Sequence, residues 1–213
     1  MRMLNQRKLV IEFGRKLVSC GLTTGSGGNI SLLERKQGLV AITPSGVDYF
    51  EITPGQVAVV DLSGKQVDGS GLPSSELGFH LALYADRPEV NAVVHTHSPY
   101  ATTLACLNWE LPPAHYLVGF AGSKVPLAPY HTYGTPELAR AVVKAMRGYN
   151  AALLANHGLV AVEGTLPRAF AVAEEIEFAA RVYYQAKAVG EPKILNAKQM
   201  KAVLSKFQTY GQQ

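Results

Sequence analysis

The most chemically suggestive residues in this sequence are two histidines one residue apart, His95 and His97, closing the apolar run Asn91-Ala92-Val93-Val94. Side chains two apart on a strand leave the same face, so the two imidazoles stand side by side at a metal-ligand spacing. Taken alone, the pair reads equally well as two core histidines bonded to backbone, and other ligands have to break the tie. His157 lies between two apolar runs, directly before Gly158, which places an imidazole at a tight turn where backbone can approach closely. Glu76 follows Ser74 and Ser75 at a helix start, a position where the helix dipole alone favours a carboxylate. Three imidazoles and one carboxylate together satisfy a tetrahedral zinc ion, and a catalytic zinc site keeps a position open for substrate. Such an ion would polarise a carbonyl and stabilise an enediolate, with a nearby carboxylate as the base.

A second group of residues suits an anion. Ser26, Gly27, Gly28 and Asn29 form a glycine-rich turn whose backbone N–H groups, hydroxyl and amide can cradle a phosphate. The turn has neither the Gly-Lys-Ser/Thr ending of a P-loop nor the GxGxxG form of a dinucleotide fold. Ser45 with Gly46 adds a further donor turn, and Ser74 with Ser75 sits at a helix N-terminus, where anions are favoured. Each turn taken singly would more often be structural.

Elements of two kinds must position these groups. Apolar residues at helical spacing predict helices over 4–20, from a first turn that holds Glu76 onward, over 99–107, from Pro136 to Gly148, over 166–188 and over 197–207. Short apolar runs predict strands over 29–33, 38–43, 57–62, 91–97, 151–155 and 159–162. Residues 108–134, rich in proline and glycine, read as an irregular and functional stretch. The alternation gives an α/β layered protein, and residues 1–213 are expected to form one domain.

Composition narrows the partners. A hydrophobic fraction of 47% with 17% charged residues builds an ordinary globular core and argues against disorder. The net charge of +4 is spread without a basic run, so no nucleic-acid surface is expected. No apolar run of about 18 residues is present, so no membrane span is expected and the protein is placed in the cytoplasm. Cys20 and Cys106 lie in apolar-periodic segments and are expected to be buried free thiols.

These motifs, in order, resemble the class II aldolase/adducin superfamily, with the L-fuculose-1-phosphate aldolases as the nearest pattern. The resemblance runs from Gly25-Ser26-Gly27-Gly28-Asn29-Ile30-Ser31 through Thr43-Pro44-Ser45-Gly46, Leu72-Pro73-Ser74-Ser75-Glu76 and the His95-Thr96-His97 segment. It continues through Asn156-His157-Gly158-Leu159 to Lys206-Phe207-Gln208-Thr209-Tyr210-Gly211. It implies a single-domain α/β/α fold with a mainly antiparallel central sheet. It further implies Zn2+, or another divalent cation, on Glu76, His95, His97 and His157, with Glu76 also the acid/base. The phosphate pocket it implies comprises Ser26, Gly27, Gly28, Asn29, Thr43, Ser45, Gly46, Ser74 and Ser75. Tyr116 resembles the family's proton donor to the aldehyde oxygen, and Tyr210 its C-terminal active-site tyrosine. A phosphorylated sugar, cleaved to dihydroxyacetone phosphate and an aldehyde, and a homotetramer with sites between subunits complete what the resemblance implies.

The departures bear on substrate. Ser26 replaces a threonine and Asn156 a histidine, changes that keep polarity and are expected to be tolerated, and the 118–124 loop is one residue shorter; Tyr133 replaces a phenylalanine near the aldehyde end, which alters the aldehyde pocket and leaves room for a 5-deoxyribulose 1-phosphate. The same scaffold supports ribulose-5-phosphate 4-epimerases and methylthioribulose-1-phosphate dehydratases, and in adducin a non-catalytic interaction domain; Glu76, Tyr116 and the C-terminal motif favour the aldolase. His80, His115 and His131 fall outside the metal set, and His80, on the apolar helix after Glu76, is expected to be a satisfied core histidine.

Overall fold

Strand β5, Ala92–Thr96, is apolar on both faces and is covered on both. Ala92 and Val94 pack into one core cluster, while Val93 packs into a second on the opposite side. His95 continues the Val93 face, so the strand's alternation aims its imidazole at that second layer.

The computed structural model describes residues 1–207. Its strands are β1 (Asn29–Glu34), β2 (Leu39–Ile42), β3 (Ala58–Asp61), β4 (Gln66–Asp68), β5, β6 (Leu127–Ala128), β7 (Ala151–Leu154) and β8 (Gly158–Glu163). They form one sheet in the order β4-β3-β2-β1-β5-β8-β7-β6, with every neighbouring pair antiparallel except β6 and β7. The helices are α1 (Leu4–Ser19), α2 (Leu77–Asp86), α3 (Pro99–Cys106), α4 (Pro136–Ala145), α5 (Leu166–Val189) and α6 (Ala197–Phe207), with a 3-10 turn at Tyr116–Phe120. Helices α1, α3 and α5 bury Phe13, Leu17, Leu104, Phe170 and Ile176 against one face of the sheet. Helices α2 and α4 bury Phe79, Leu83, Leu138 and Val142 against the other. The expected three-layer α/β/α fold with a mainly antiparallel sheet is what the chain adopts. Among the described residues no helix is long and apolar enough to cross a membrane.

Local chemistry explains the boundaries that matter for the site. Gly21, at φ +69°, takes the left-handed turn that ends α1, and Leu22 N–H bonds back to Leu17 O at 2.8 Å. Pro99 starts α3 one residue beyond the His95-Thr96-His97 segment, after Ser98 at the N-cap, where its missing N–H costs no helix bond. The α3 N-terminus is completed from α5, whose Glu177 carboxylate accepts the Tyr100 and Ala101 N–H groups at 2.9 and 2.8 Å. Glu76 differs slightly from expectation: it is the residue before α2 rather than part of its first turn.

Two readings need correction. Cys20 and Cys106 are both exposed, because Cys20 caps the end of α1 and Cys106 is the last residue of α3, where the apolar stripe has left the core. The 108–134 stretch is more ordered than its composition suggested: besides the 3-10 turn, it contributes β6 as a parallel edge and an antiparallel bridge between Leu111 and Val125.

Candidate metal centre

Four side chains from four places in the chain meet at one end of the sheet. Glu76 comes from the start of α2, His95 from β5, His97 from just beyond it, and His157 from the turn between β7 and β8; one ligand atom from each lies within 4.8 Å of the others. His95 Nε2 is 3.0 Å from His97 Nε2 and 3.2 Å from Glu76 Oε2, and His157 Nε2 is 3.4 Å from Glu76 Oε1. Donors about 2.1 Å from a common tetrahedral centre are roughly 3.4 Å apart, so these separations suit a zinc-sized ion.

The turn geometry explains why the rings converge. Asn156 takes a left-handed conformation at φ 55°, which lets His157 double back with its N–H on Leu154 O at 3.0 Å. Gly158 then presses against β5: a Cβ there would lie 2.2 Å from Thr96 O and 3.3 Å from His95 Cε1. Only glycine permits that approach. The glycine turn closes on the same histidines from the other side, since a Cβ on Gly28 would lie 2.5 Å from His95 O and one on Gly27 2.9 Å from His97 Nδ1.

Protonation favours metal binding. His95 Nδ1 bonds Leu159 O at 3.0 Å, and a carbonyl can only accept, so Nδ1 carries the proton and Nε2 presents its lone pair to the centre. Burial, followed by the charge of neighbouring imidazoles, lowers the pKa of His97 and of His157 to about 4, keeping both rings neutral. For Glu76, burial alone would raise the pKa, but His95, His157 and the Asn29 amide outweigh it and hold the carboxyl well below its usual range. Glu76 Oε2 accepts from Asn29 Nδ2 at 2.9 Å, whereas buried Oε1 has no hydrogen-bond donor among the described residues. A buried, ionised carboxylate oxygen without a donor, beside the neutral His157 ring, is what a cation would satisfy. The residues present fit a divalent metal.

Beside this cluster lies a cavity of about 310 Å³. It is lined by the whole expected phosphate set, from Ser26, Gly27, Gly28 and Asn29 through Thr43, Ser45 and Gly46 to Ser74 and Ser75, together with Glu76, His97, His157 and Tyr133. Their roles differ. Thr43 Oγ1 is occupied by Ile30 N–H at 3.2 Å and Ser74 Oγ by Glu76 N–H at 3.3 Å, so these two hydroxyl oxygens hold the frame. Ser26, Ser45 and Ser75 carry hydroxyls without a hydrogen bond among the described residues, and these are the open donors. Two strand-like contacts hold the serine turns in register: Ser45 N–H to Leu72 O at 2.9 Å and Ser74 N–H to Thr43 O at 3.1 Å. A hollow of about 470 Å³ between the 3-10 turn, α5 and α6 is larger, but among the described residues Glu163 is its only carboxylate and no histidine lines it, so volume alone does not choose the site.

The tyrosines stand apart from this arrangement. Tyr116 is 50% exposed at the start of the 3-10 turn, its ring 4.8 Å from His115 and 6.3 Å from Phe207, and it is not among the residues lining the cavity. Tyr210 lies outside the described residues.

Two supports were not foreseen, the role of Tyr49 and the partners of His80, which is itself the satisfied core histidine expected. Tyr49 is buried and donates to Gly28 O at 2.8 Å and Gly27 O at 3.2 Å, pinning the glycine turn by its carbonyls. His80, Ser31 and Tyr84 form a buried polar chain ending on Asn29. The readable signal for that chain was spacing: His80 is four residues after Glu76, hence on the same helical face.

The three-layer fold and this metal centre define the class. A model of the class II aldolase and adducin N-terminal domain matches residues 8–184, and the chain belongs to this family, as an enzyme of the carbon–carbon lyase type. It is 51% identical over all 213 residues, and over the whole of the relative, to a 5-deoxy-D-ribulose 1-phosphate aldolase of Bacillus thuringiensis. It is 42% identical to a 5-methylthioribulose-1-phosphate/5-deoxyribulose-1-phosphate aldolase of Rhodospirillum rubrum, across 95% of this chain and 90% of that one. A solved structure of an L-fuculose 1-phosphate aldolase superposes with a TM-score of 0.94 at 46% identity, covering 96% of each chain.

Proposed function

We propose that the chain is a zinc-dependent aldolase that reversibly cleaves a 5-deoxyketose 1-phosphate, with 5-deoxyribulose 1-phosphate preferred over L-fuculose 1-phosphate, into dihydroxyacetone phosphate and an aldehyde. The observation that carries the reading is the adjacency of the Glu76–His95–His97–His157 cluster to a cavity edged by open serine hydroxyls. The preference for the deoxypentulose rests on the 51% identical relative and on Tyr133 at the cavity wall.

A divalent ion held by Glu76, His95, His97 and His157 would polarise the ketose carbonyl as a Lewis acid and stabilise the negative charge that develops as the C3–C4 bond breaks. The chain's own residues do the rest. Ser26, Ser45 and Ser75, with the N-terminus of α2 behind Ser75, bind and orient the phosphate. Glu76, anchored through Oε2 by Asn29, returns a proton to C3 through Oε1 and completes dihydroxyacetone phosphate. Tyr116 moves the proton at the aldehyde oxygen, with Tyr210 beside it. Because Tyr116 is half-exposed and outside the cavity of its own chain, we place it in a neighbour's site within a cytoplasmic homotetramer of single-domain subunits.

The test is a comparison of kcat/KM for release of dihydroxyacetone phosphate from 5-deoxyribulose 1-phosphate, 5-methylthioribulose 1-phosphate and L-fuculose 1-phosphate on the zinc-loaded protein. The 5-deoxy substrate is expected to lead. Isomerised or dehydrated ketose without dihydroxyacetone phosphate would replace the aldolase with an epimerase or dehydratase.

A further inference from the structure

From the cavity wall inward, a chain of five side chains crosses the core: Glu76 and Asn29, which line the cavity, then His80, Ser31 and Tyr84, each at most 6% exposed. Tyr84 OH is 2.7 Å from Ser31 Oγ, Ser31 Oγ is 2.6 Å from His80 Nδ1, His80 Nε2 is 2.5 Å from Asn29 Oδ1, and Asn29 Nδ2 is 2.9 Å from Glu76 Oε2. His80 is neither a ligand nor a cavity residue, and both its nitrogens are spent within this chain.

The direction of every proton follows from the Glu76 end. An ionised carboxylate only accepts, so the amide nitrogen of Asn29 faces Glu76 and its carbonyl oxygen faces His80. That oxygen accepts in turn, so His80 carries its proton on Nε2. A neutral imidazole then has a bare Nδ1, which accepts from Ser31 Oγ–H, and Ser31 accepts from the Tyr84 hydroxyl. Burial lowers the His80 pKa to about 3, so the ring is neutral and one tautomer suffices. His95, whose ring stands edge-on to Phe79 with centroids 5.6 Å apart, needs the opposite tautomer, with its proton on Nδ1 facing Leu159 O.

We propose that His80 is a positioning residue for the aldol reaction: as the Nε2–H tautomer it locks the Asn29 amide in the one orientation that anchors Glu76 Oε2 and leaves Oε1 as the working oxygen. If the amide rotated by half a turn, its oxygen would meet the Glu76 carboxylate and its NH2 would meet the His80 N–H. The arrangement therefore resists rotation at both ends. Without the His80 donor the amide has no preferred orientation from below, and Glu76 loses the anchor that aims it. Stacked on Phe79 with ring centroids 4.5 Å apart, the imidazole is itself fixed in its plane.

The inference rests on the aldolase reading, and its test separates the two. Zinc content, melting temperature, kcat and KM for 5-deoxyribulose 1-phosphate cleavage are measured for wild type, His80→Leu and His80→Gln, and the histidine nitrogen resonances are recorded on the wild-type zinc enzyme. Removing the donor is expected to lower kcat about 10- to 100-fold at full zinc occupancy with KM little changed, as outer-shell hydrogen bonds to metal sites do. Glutamine, which can offer an amide N–H in place of Nε2–H, is expected to recover most of the loss. His80→Leu that merely melts earlier, with unaltered kcat per zinc-loaded site, overturns the proposal. So does a wild-type His80 resonance pair showing the proton on Nδ1 or on both nitrogens, a result available even if His80→Leu does not fold. A wild type that releases no dihydroxyacetone phosphate fails the aldolase reading itself, which is a different result from an active wild type indifferent to His80.

Discussion

The two halves of the candidate site are built differently. The half that would hold the metal and the phosphate is complete within one chain: four ligand groups within 4.8 Å, glycines pressed against them, and serine turns tied to each other by backbone bonds. The half that would meet the aldehyde has Tyr133 at the cavity edge, 66% exposed, and Tyr116 half-exposed on a separate turn. Under the proposed reaction, activation of the ketose and formation of dihydroxyacetone phosphate would draw on groups fixed by the core, and handling of the aldehyde would draw on surface groups that another subunit could approach. Chemistry common to all substrates of the family calls for rigid placement, whereas the variable end of the substrate is met by exposed side chains, which can change without disturbing the core.

Substitutions in the two halves should therefore fail differently. If Glu76 is the proton carrier, Glu76→Gln is expected to lower cleavage by about 10³-fold or more, along with proton exchange at C3 of dihydroxyacetone phosphate; both are read by kinetics and by solvent-isotope incorporation. Tyr116→Phe is expected to reduce cleavage by about 10²-fold while leaving zinc content and that isotope exchange near wild type, since the exchange uses only the metal half. Equal loss of both activities in Tyr116→Phe would erase the distinction.

Gly158→Ala tests the rigidity of the metal half. The new methyl would sit 2.2 Å from Thr96 O, so β5 and β8 must separate, at a cost of about 1–3 kcal/mol in thermal denaturation and with weakened metal affinity. A variant that binds zinc and melts like wild type would show that the close approach is not needed.

The smallest effect concerns acid. In the metal-free protein His97 and His157 hold pKa values of about 4, against 6.5 for an ordinary histidine, first because burial penalises the cation. Between those values the unfolded chain takes up protons that the folded chain does not, so stability is lost as pH falls from about 6.5 toward 4. Glu76, held below its ordinary 4.5, adds a loss of the same sign at still lower pH. Melting of the chelated protein at stepped pH should show this decline, and His157→Gln should flatten it; a melting temperature that rises on acidification would contradict the assignment.

The metal half was also the more legible half. His95 and His97 were readable as neighbours because strand parity is a property of the backbone alone, and Gly158 marked the close turn beside His157. The bounds of α1 and α6 followed from apolar spacing. By contrast, β4 and β6 are three- and two-residue edge strands defined by pairing partners rather than by pattern, and nothing in their composition announced them. Cys20 and Cys106 misled because an apolar-periodic helix still turns its last residues outward. His80 was legible as a satisfied core histidine, but its partners, Asn29, Ser31 and Tyr84, became visible only when β1 packed across α2, joining residues about fifty positions apart. The aldehyde half left little to read, since the position of Tyr116 depends on tertiary and subunit contacts.

The central claim is that Glu76, His95, His97 and His157 together hold a catalytic divalent ion. Metal content and cleavage of 5-deoxyribulose 1-phosphate, measured before and after chelation and again after zinc is returned, test it most directly. The account predicts about one ion per chain, loss of activity with the ion, recovery with zinc, and a failure of His157→Ala to retain the ion. Full activity in protein stripped of metal would contradict it.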